Sequence, residues 1–197
     1  MSQGQVISTT TNHITTIEFF HPAQNSLPGH LLNELVTHIN QAGNDENTVL
    51  IILKSAGDRS FCAGASFTEL AAIQDFEVGK KFFMGFANVI NAIRKCSKIV
   101  IGRVHGKAVG GGVGLAAACD YSMATKYASI RLSELAVGIG PFVIGPAVER
   151  KIGLSAFSQM ALNAQEWQTA EWAKQKGLFT EAFESVEQLD AYIEHFT

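Results

Sequence analysis

Lys98-Ile99-Val100-Ile101-Gly102-Arg103-Val104, followed by Gly110-Gly111-Gly112-Val113-Gly114 and then Leu115-Ala116-Ala117-Ala118-Cys119, is the stretch from which the fold is read. The first segment is apolar and β-branched enough for a strand. The second is a glycine-rich turn, and the third is short and small enough for a buried helix of about two turns. The same alternation extends outward on both sides. Upstream, Val49 to Leu53 is a continuous apolar run, the form expected of a strand covered on both faces. His13 to Phe20 alternates like a half-buried strand until His21 to Ser26 breaks it. Leu31, Leu32, Leu35, Val36 and Ile39 then recur at helical spacing up to Gly43. Ser66 with Glu69 three residues later reads as a capping box that opens a short helix through Ala72. A longer helix over about Phe76 to Arg94 carries Phe82, Phe83, Phe86, Val89, Ile90 and Ile93 on its buried side. Downstream, Asp120 to Ala124 and Ser129 to Leu132 are short strands. After Pro146 the pattern is helical over Gly153 to Asn163, Thr169 to Lys176 and Val186 to His195. The pattern predicts one α/β domain over residues 1–197, with mostly parallel strands and a helical last third.

Composition limits what such a domain does. The chain has 197 residues, 47% hydrophobic and 17% charged, which excludes a disordered chain. Its formal net charge of −3 offers no basic field for a polyphosphate backbone, so nucleic acid is not an expected partner. No apolar run approaches the ~20 residues that cross a bilayer. Residues 1–15 have neither a basic start nor an apolar core, so no membrane partner and a cytoplasmic location are expected. Cys62, Cys96 and Cys119 form no CxxC pair, which fits a reducing compartment, and the six histidines have no metal-ligand spacing. Gly112 to Ala117 fits the dinucleotide pattern GxGxxA, but the following helix is too short for the usual crossover. Gly64-Ala65-Ser66-Phe67-Thr68 misses the last glycine of a hydrolase elbow, and Cys62 reads as a small buried residue.

Two segments place backbone amides where small residues let a ligand approach: Phe61-Cys62-Ala63-Gly64-Ala65-Ser66 and Gly110-Gly111-Gly112. Unpaired N–H groups at such helix starts suit an oxyanion, and equally such glycines serve close packing. Glu134, among apolar residues in Leu132-Ser133-Glu134-Leu135-Ala136-Val137-Gly138, is the candidate acid or base. Its other reading is an exposed carboxylate at a strand end.

Phe61 to Ala65, His105 to Gly112, Cys119-Asp120, and Ser133-Glu134 followed by Gly138 and Pro141 together resemble the crotonase (enoyl-CoA hydratase/isomerase) superfamily. The resemblance covers nearly the whole chain. It implies a spiral of ββα turns, an acyl-CoA ligand, no cofactor apart from the CoA of the substrate, and homotrimers or dimers of trimers. It further implies that the N–H groups of Ala65 and Gly111 hold the thioester oxygen and that Glu134 is the catalytic carboxylate. Ala23, Gln24, Ser26, Ala63, Gly64 and Gly110 are implied on the CoA side. Phe67, Leu70, Phe86, Pro141, Phe142 and the space beside Gly114 are implied around the acyl group.

The chain departs from the family pattern in four places. Hydratases of the family carry a second glutamate where this chain has Gly114. Ser66 replaces the usual aspartate after Gly-Ala and keeps its capping ability. Phe142-Val143-Ile144-Gly145 replaces a glycine-rich run. The chain stops at Thr197, so the trimerisation helices usual in the family are expected to be largely absent. With one carboxylate, moving a double bond is expected ahead of adding water. Hydration, other enolate chemistry such as decarboxylation or condensation, and acyl-CoA binding without turnover are the alternatives. A small residue at 114 is expected to leave room for a substrate carboxylate or an anion.

Overall fold

The computed structural model describes residues 4–196, with the side chain of Phe196 outside that description. The chain begins with a hairpin, β1 (Gln5–Thr11) and β2 (Ile14–Phe20), followed by β3 (Ser26–Leu27) and α1 (Gly29–Asn44). Next come β4 (Leu50–Ser55), β5 (Ser60–Cys62), β6 (Gly64–Ala65), α2 (Phe67–Ala71) and α3 (Phe76–Lys95). The middle contains β7 (Ile99–Val104), β8 (Lys107–Val109), α4 (Gly111–Ala118), β9 (Tyr121–Thr125) and β10 (Ser129–Arg131). A 3-10 turn (Leu135–Val137) leads to α5 (Gly145–Leu162), β11 (Gln168–Thr169), α6 (Ala170–Gln175), β12 (Glu181–Phe183) and α7 (Val186–Phe196).

Three successive turns of chain each lay one strand in each of two sheets. β4, β7 and β9 are parallel neighbours in a six-stranded sheet of order β1-β2-β4-β7-β9-β12. Their partners β5, β8 and β10 are parallel neighbours in a four-stranded sheet of order β11-β10-β8-β5. A helix closes each turn, and the result is a spiral of ββα units. The expected parallel α/β architecture is present, with β1 and β11 the antiparallel exceptions.

Four sequence expectations are corrected. β1 was missed because Gln5 to Thr11 is almost wholly polar; it pairs with β2 through a tight turn in which Asn12 and His13 take positive φ (49° and 67°), so the second strand starts at Ile14, after His13. β4 is covered fully on one face only: Ile51 and Leu53 join the main core, whereas Leu50 and Ile52 are half-buried against Ile101, Met123, Leu189 and Ile193. That outer layer exists because α7 packs against β9 and β12 at the far end of the sheet. The last third also contributes two strands, β11, which pairs with β10, and β12, which extends the large sheet beside β9. Helix α5 starts at Gly145, ahead of the expected Gly153, and breaks at Gly153, where φ is 77°.

The capping box forms only in half. The Ser66 hydroxyl accepts from the Glu69 N–H at 3.3 Å, but the Ser66 N–H donates to Leu27 O between β3 and β6. The Glu69 carboxylate instead accepts from the Gly29 N–H (2.9 and 3.2 Å), capping α1 and tying it to α2. Asn25, 3% exposed, fastens the loop between β2 and β3. Its side chain donates to Ala56 O (2.8 Å) and Ser60 O (2.9 Å) and accepts from the His21 N–H (2.8 Å). Asn25→Ala leaves Ser60 O in β5, Ala56 O ahead of it and the His21 N–H without these bonds, and a loss of about 2–3 kcal/mol is expected. Urea denaturation checks this, and an unchanged midpoint would sink it.

Candidate active site

Adjacent parallel strands emptying at one edge create the site. Cys62 is in register with Ala108, Ala108 with Ile130, and Val109 with Arg131, so the segments leaving β5, β8 and β10 emerge side by side at the carboxyl ends of their strands. Those segments carry Gly64-Ala65, Gly110-Gly111 and Ser133-Glu134. The Gly110 N–H donates to Arg131 O at 2.9 Å and continues the ladder past the strand end.

Two glycines let the segments meet. Gly64 has φ +91°, and a Cβ there would lie 3.1 Å from Val109 O and 3.8 Å from the Gly111 nitrogen. Gly110 has φ +51°, and a Cβ there would come 2.9 Å from Glu134 Oε1. Side chains at either position would be strained and would push the carboxylate or the neighbouring backbone away. Gly111 opens α4, so its N–H has no carbonyl within the helix to bond. Ala65 lies between Ala63, whose N–H donates to Asn25 O, and Ser66, whose N–H donates to Leu27 O.

Ala65, Gly111 and Glu134 all border one cavity of about 260 Å³. Phe67, Leu70, Phe82, Phe83 and Phe86 from α2 and α3 line it, as do Val137, Ile139, Pro141, Val143 and Ile144 from the 3-10 turn and the segment after it. Glu134 is half-buried; its Oε2 is fully enclosed and has no hydrogen-bond partner among the described residues. Burial pushes its carboxyl group above the ordinary range, against a smaller opposing pull from its own backbone.

The expected residues divide as follows. Ser26, Ala63, Gly64, Ala65, Phe67, Leu70, Phe86, Gly110, Gly111, Glu134 and Pro141 line the cavity. Gln24 does not; it borders an adjoining groove with Arg59, Ser60, Lys107 and Trp167, reached past Ala63 and Val109, which border both. Ala23 is exposed on its turn and borders neither space. Phe142 is 85% exposed and lies over Gly140, because the residues after Pro141 turn Val143 and Ile144 inward in its place. Gly114 is buried behind the wall, and the room expected beside it is filled. A Cβ there would lie 2.5 Å from Ile144 Cγ2 and 3.1 Å from Ile90 Cδ1.

Val143 and Ile144 line the cavity without any local sequence signal, and Phe82 and Phe83, expected on the buried side of the helix, line it too. The two rings pack edge to face at 5.2 Å. Sequence reading also missed Trp167, over which Lys107 (5.0 Å) and Arg131 (4.6 Å) stack. Nothing local signals that cluster, since its members come from β8, β10 and the segment before β11. Among the described residues no group of three or more His, Cys, Asp or Glu could hold a metal ion, and no helix is long and apolar enough to cross a membrane.

A two-sheet ββα spiral with a cavity at the carboxyl ends of its inner strands defines a protein of the crotonase fold. Solved structures agree. The putative enoyl-CoA hydratase/isomerase (crotonase) of Legionella pneumophila superposes with a TM-score of 0.91 at 28% identity, covering 99% of this chain and 75% of that one. An enoyl-CoA hydratase of Mycobacterium smegmatis gives 0.91 at 29% identity, covering 97% and 74%. The enoyl-CoA hydratase/isomerase family model matches residues 9–196, and the chain belongs to that family. A short-chain-enoyl-CoA hydratase of Clostridium acetobutylicum is 30% identical over 167 residues, 84% of this chain and 64% of that protein. The mitochondrial methylglutaconyl-CoA hydratase of mouse is 32% identical over 169 residues, 85% of this chain and 53% of that protein. The chain thus spans between about half and two thirds of the length of these two curated relatives.

Proposed function

We propose that the protein acts on an enoyl-CoA thioester and shifts its double bond through an enolate, with Glu134 as the one acid and base. The observation that supports this reading is the placement of the half-buried Glu134, whose Oε2 is enclosed and without a hydrogen-bond partner among the described residues, in a cavity that Ala65 and Gly111 also border. Glu134, ionised, takes a proton from C2 of a 3-enoyl thioester. The released electron pair forms a dienolate, and the two N–H groups stabilise the charge on the thioester oxygen. The protonated Glu134 then returns the proton at C4, and the double bond comes to lie between C2 and C3. Atoms balance without a second reactant. A carboxyl group held above its ordinary range is better matched to such a shuttle than a free one. The apolar walls exclude water that would compete for the proton.

Hydration is the second reading, favoured by the names of the relatives. It asks for a group that activates water beside the one that manages the C2 proton. The packing of Ile144 and Ile90 around Gly114 leaves no room for a carboxylate there. The test supplies a 3-enoyl-CoA and a 2-enoyl-CoA separately and follows double-bond migration and water addition. Migration at least about tenfold faster than hydration is expected when one carboxylate serves both proton steps. Faster hydration would transfer the assignment to the second reading, and inactivity on both would sink each.

A further inference from the structure

The segment that carries the Ala65 N–H is gripped from β3 and the loop before it. On either side of Ala65, the Ala63 N–H donates to Asn25 O and the Ser66 N–H donates to Leu27 O, each at 3.2 Å. Between them Ser26 stands in register with Gly64, and its hydroxyl donates to Ala65 O at 2.9 Å. Ser26 and Ala65 are both half-buried and both border the cavity. Asn25, the residue before Ser26, is fastened through its own side chain to Ala56 O and Ser60 O, so the hydroxyl is presented from a fixed loop.

The peptide that bears the Ala65 N–H joins it to Gly64, which has φ +91° and belongs to the residue type with the widest backbone freedom. The direction of that N–H therefore has to be set from the Ala65 side. A serine hydroxyl has one proton, and this one is committed to Ala65 O, so Ser26 has none to offer a thioester oxygen. Its effect on the ligand runs through Ala65. Resting on the enolate reading above, we propose that Ser26 is a positioning residue, which holds the Ala65 N–H on the thioester oxygen by anchoring the carbonyl of the same residue.

Losing an oxyanion donor outright costs about 10²- to 10³-fold in kcat, and loosening one should cost less. Ser26→Ala is expected to lower kcat on a 3-enoyl-CoA roughly tenfold with KM within about twofold, and Ser26→Thr, which keeps the hydroxyl, to stay within about threefold of wild type in kcat. A second readout needs no turnover: infrared spectroscopy of bound hexanoyl-CoA labelled with carbon-13 at the thioester carbonyl. The carbonyl stretch should fall on binding to wild type, where two N–H groups polarise the bond. It should return part of the way in Ser26→Ala and stay down in Ser26→Thr. Ser26→Cys, close in shape and a weak donor, should behave as alanine does and serves where Ser26→Ala fails to fold. An equal carbonyl shift in wild type and in the folded alanine or cysteine variant overturns the proposal and leaves the oxyanion reading standing. No binding or no shift in wild type removes that reading and the role of Ser26 with it. A shift that follows Ser26 as expected, without turnover of any enoyl-CoA, keeps the positioning role and loses the catalytic reading alone.

Discussion

Glu134→Gln is expected to lower enoyl-CoA turnover by about 10²- to 10⁴-fold, the usual contribution of a positioned acid or base. The amide keeps the shape of the side chain and the two N–H groups stay in place, so binding should survive. The same substitution should raise thermal stability at neutral pH. Burial raises the carboxyl of the folded protein above its unfolded value, so the folded state holds the proton more tightly. Stability contributed by the protonated form is fully present below the unfolded value and falls as pH rises through the folded one. Glutamine, which does not ionise, escapes that loss. Turnover follows the opposite sense, appearing as pH rises through the same folded value, because the base must be ionised. Melting curves and kcat/KM across a pH series check both limbs. Parallel melting curves for variant and wild type from acid to neutral pH would refute the buried-carboxylate account.

Gly112→Ala should cost stability without removing any chemical group. A Cβ at Gly112 would lie 2.3 Å from Cys62 O and 2.8 Å from Cys62 Cβ, and backbone cannot swing aside as a flexible side chain can. Helix α4 is buried along almost its whole length, packed on β5, α3 and α5, so it has no free direction in which to move. Overpacking of this kind costs up to about 3 kcal/mol or more. For a chain of this size that is a fall of roughly 6–12 °C in Tm. Gly79→Ala is the control: its Cβ meets only Ile73 Cγ2, at 3.4 Å, and lies within α3, where alanine favours the helix by about 0.5–1 kcal/mol. If Gly112→Ala melts with the wild type, close approach of α4 to β5 is not why glycine is required there.

These two positions show how differently parts of the site announce themselves. The glycine triplet and the Gly64-Ala65 turn were legible because a turn that must pass near another backbone excludes most side chains. Glu134 stood out as a candidate among apolar residues, but the local sequence left an exposed carboxylate open, and its expected role came from the family resemblance. Phe142 misled, since a large apolar residue after a proline reads as lining while the turn sends it to solvent. Gly114 misled in the other direction: a small residue reads as empty space, but Ile144, thirty positions later, fills it. Glu69 was assigned its local cap and instead serves a helix forty residues upstream.

The sequence by itself determined the alternation of strand and helix, the parallel class of the sheet, the two amide-bearing turns and the one candidate carboxylate. All of these follow from local periodicity and from what each residue type permits its own backbone. Tertiary structure alone decided that β1 and β12 extend the large sheet, that β5, β8 and β10 empty into one cavity, and which apolar side chains wall it. Those outcomes depend on contacts between residues tens of positions apart. Packing selects them by filling space and satisfying buried polar groups across the whole fold.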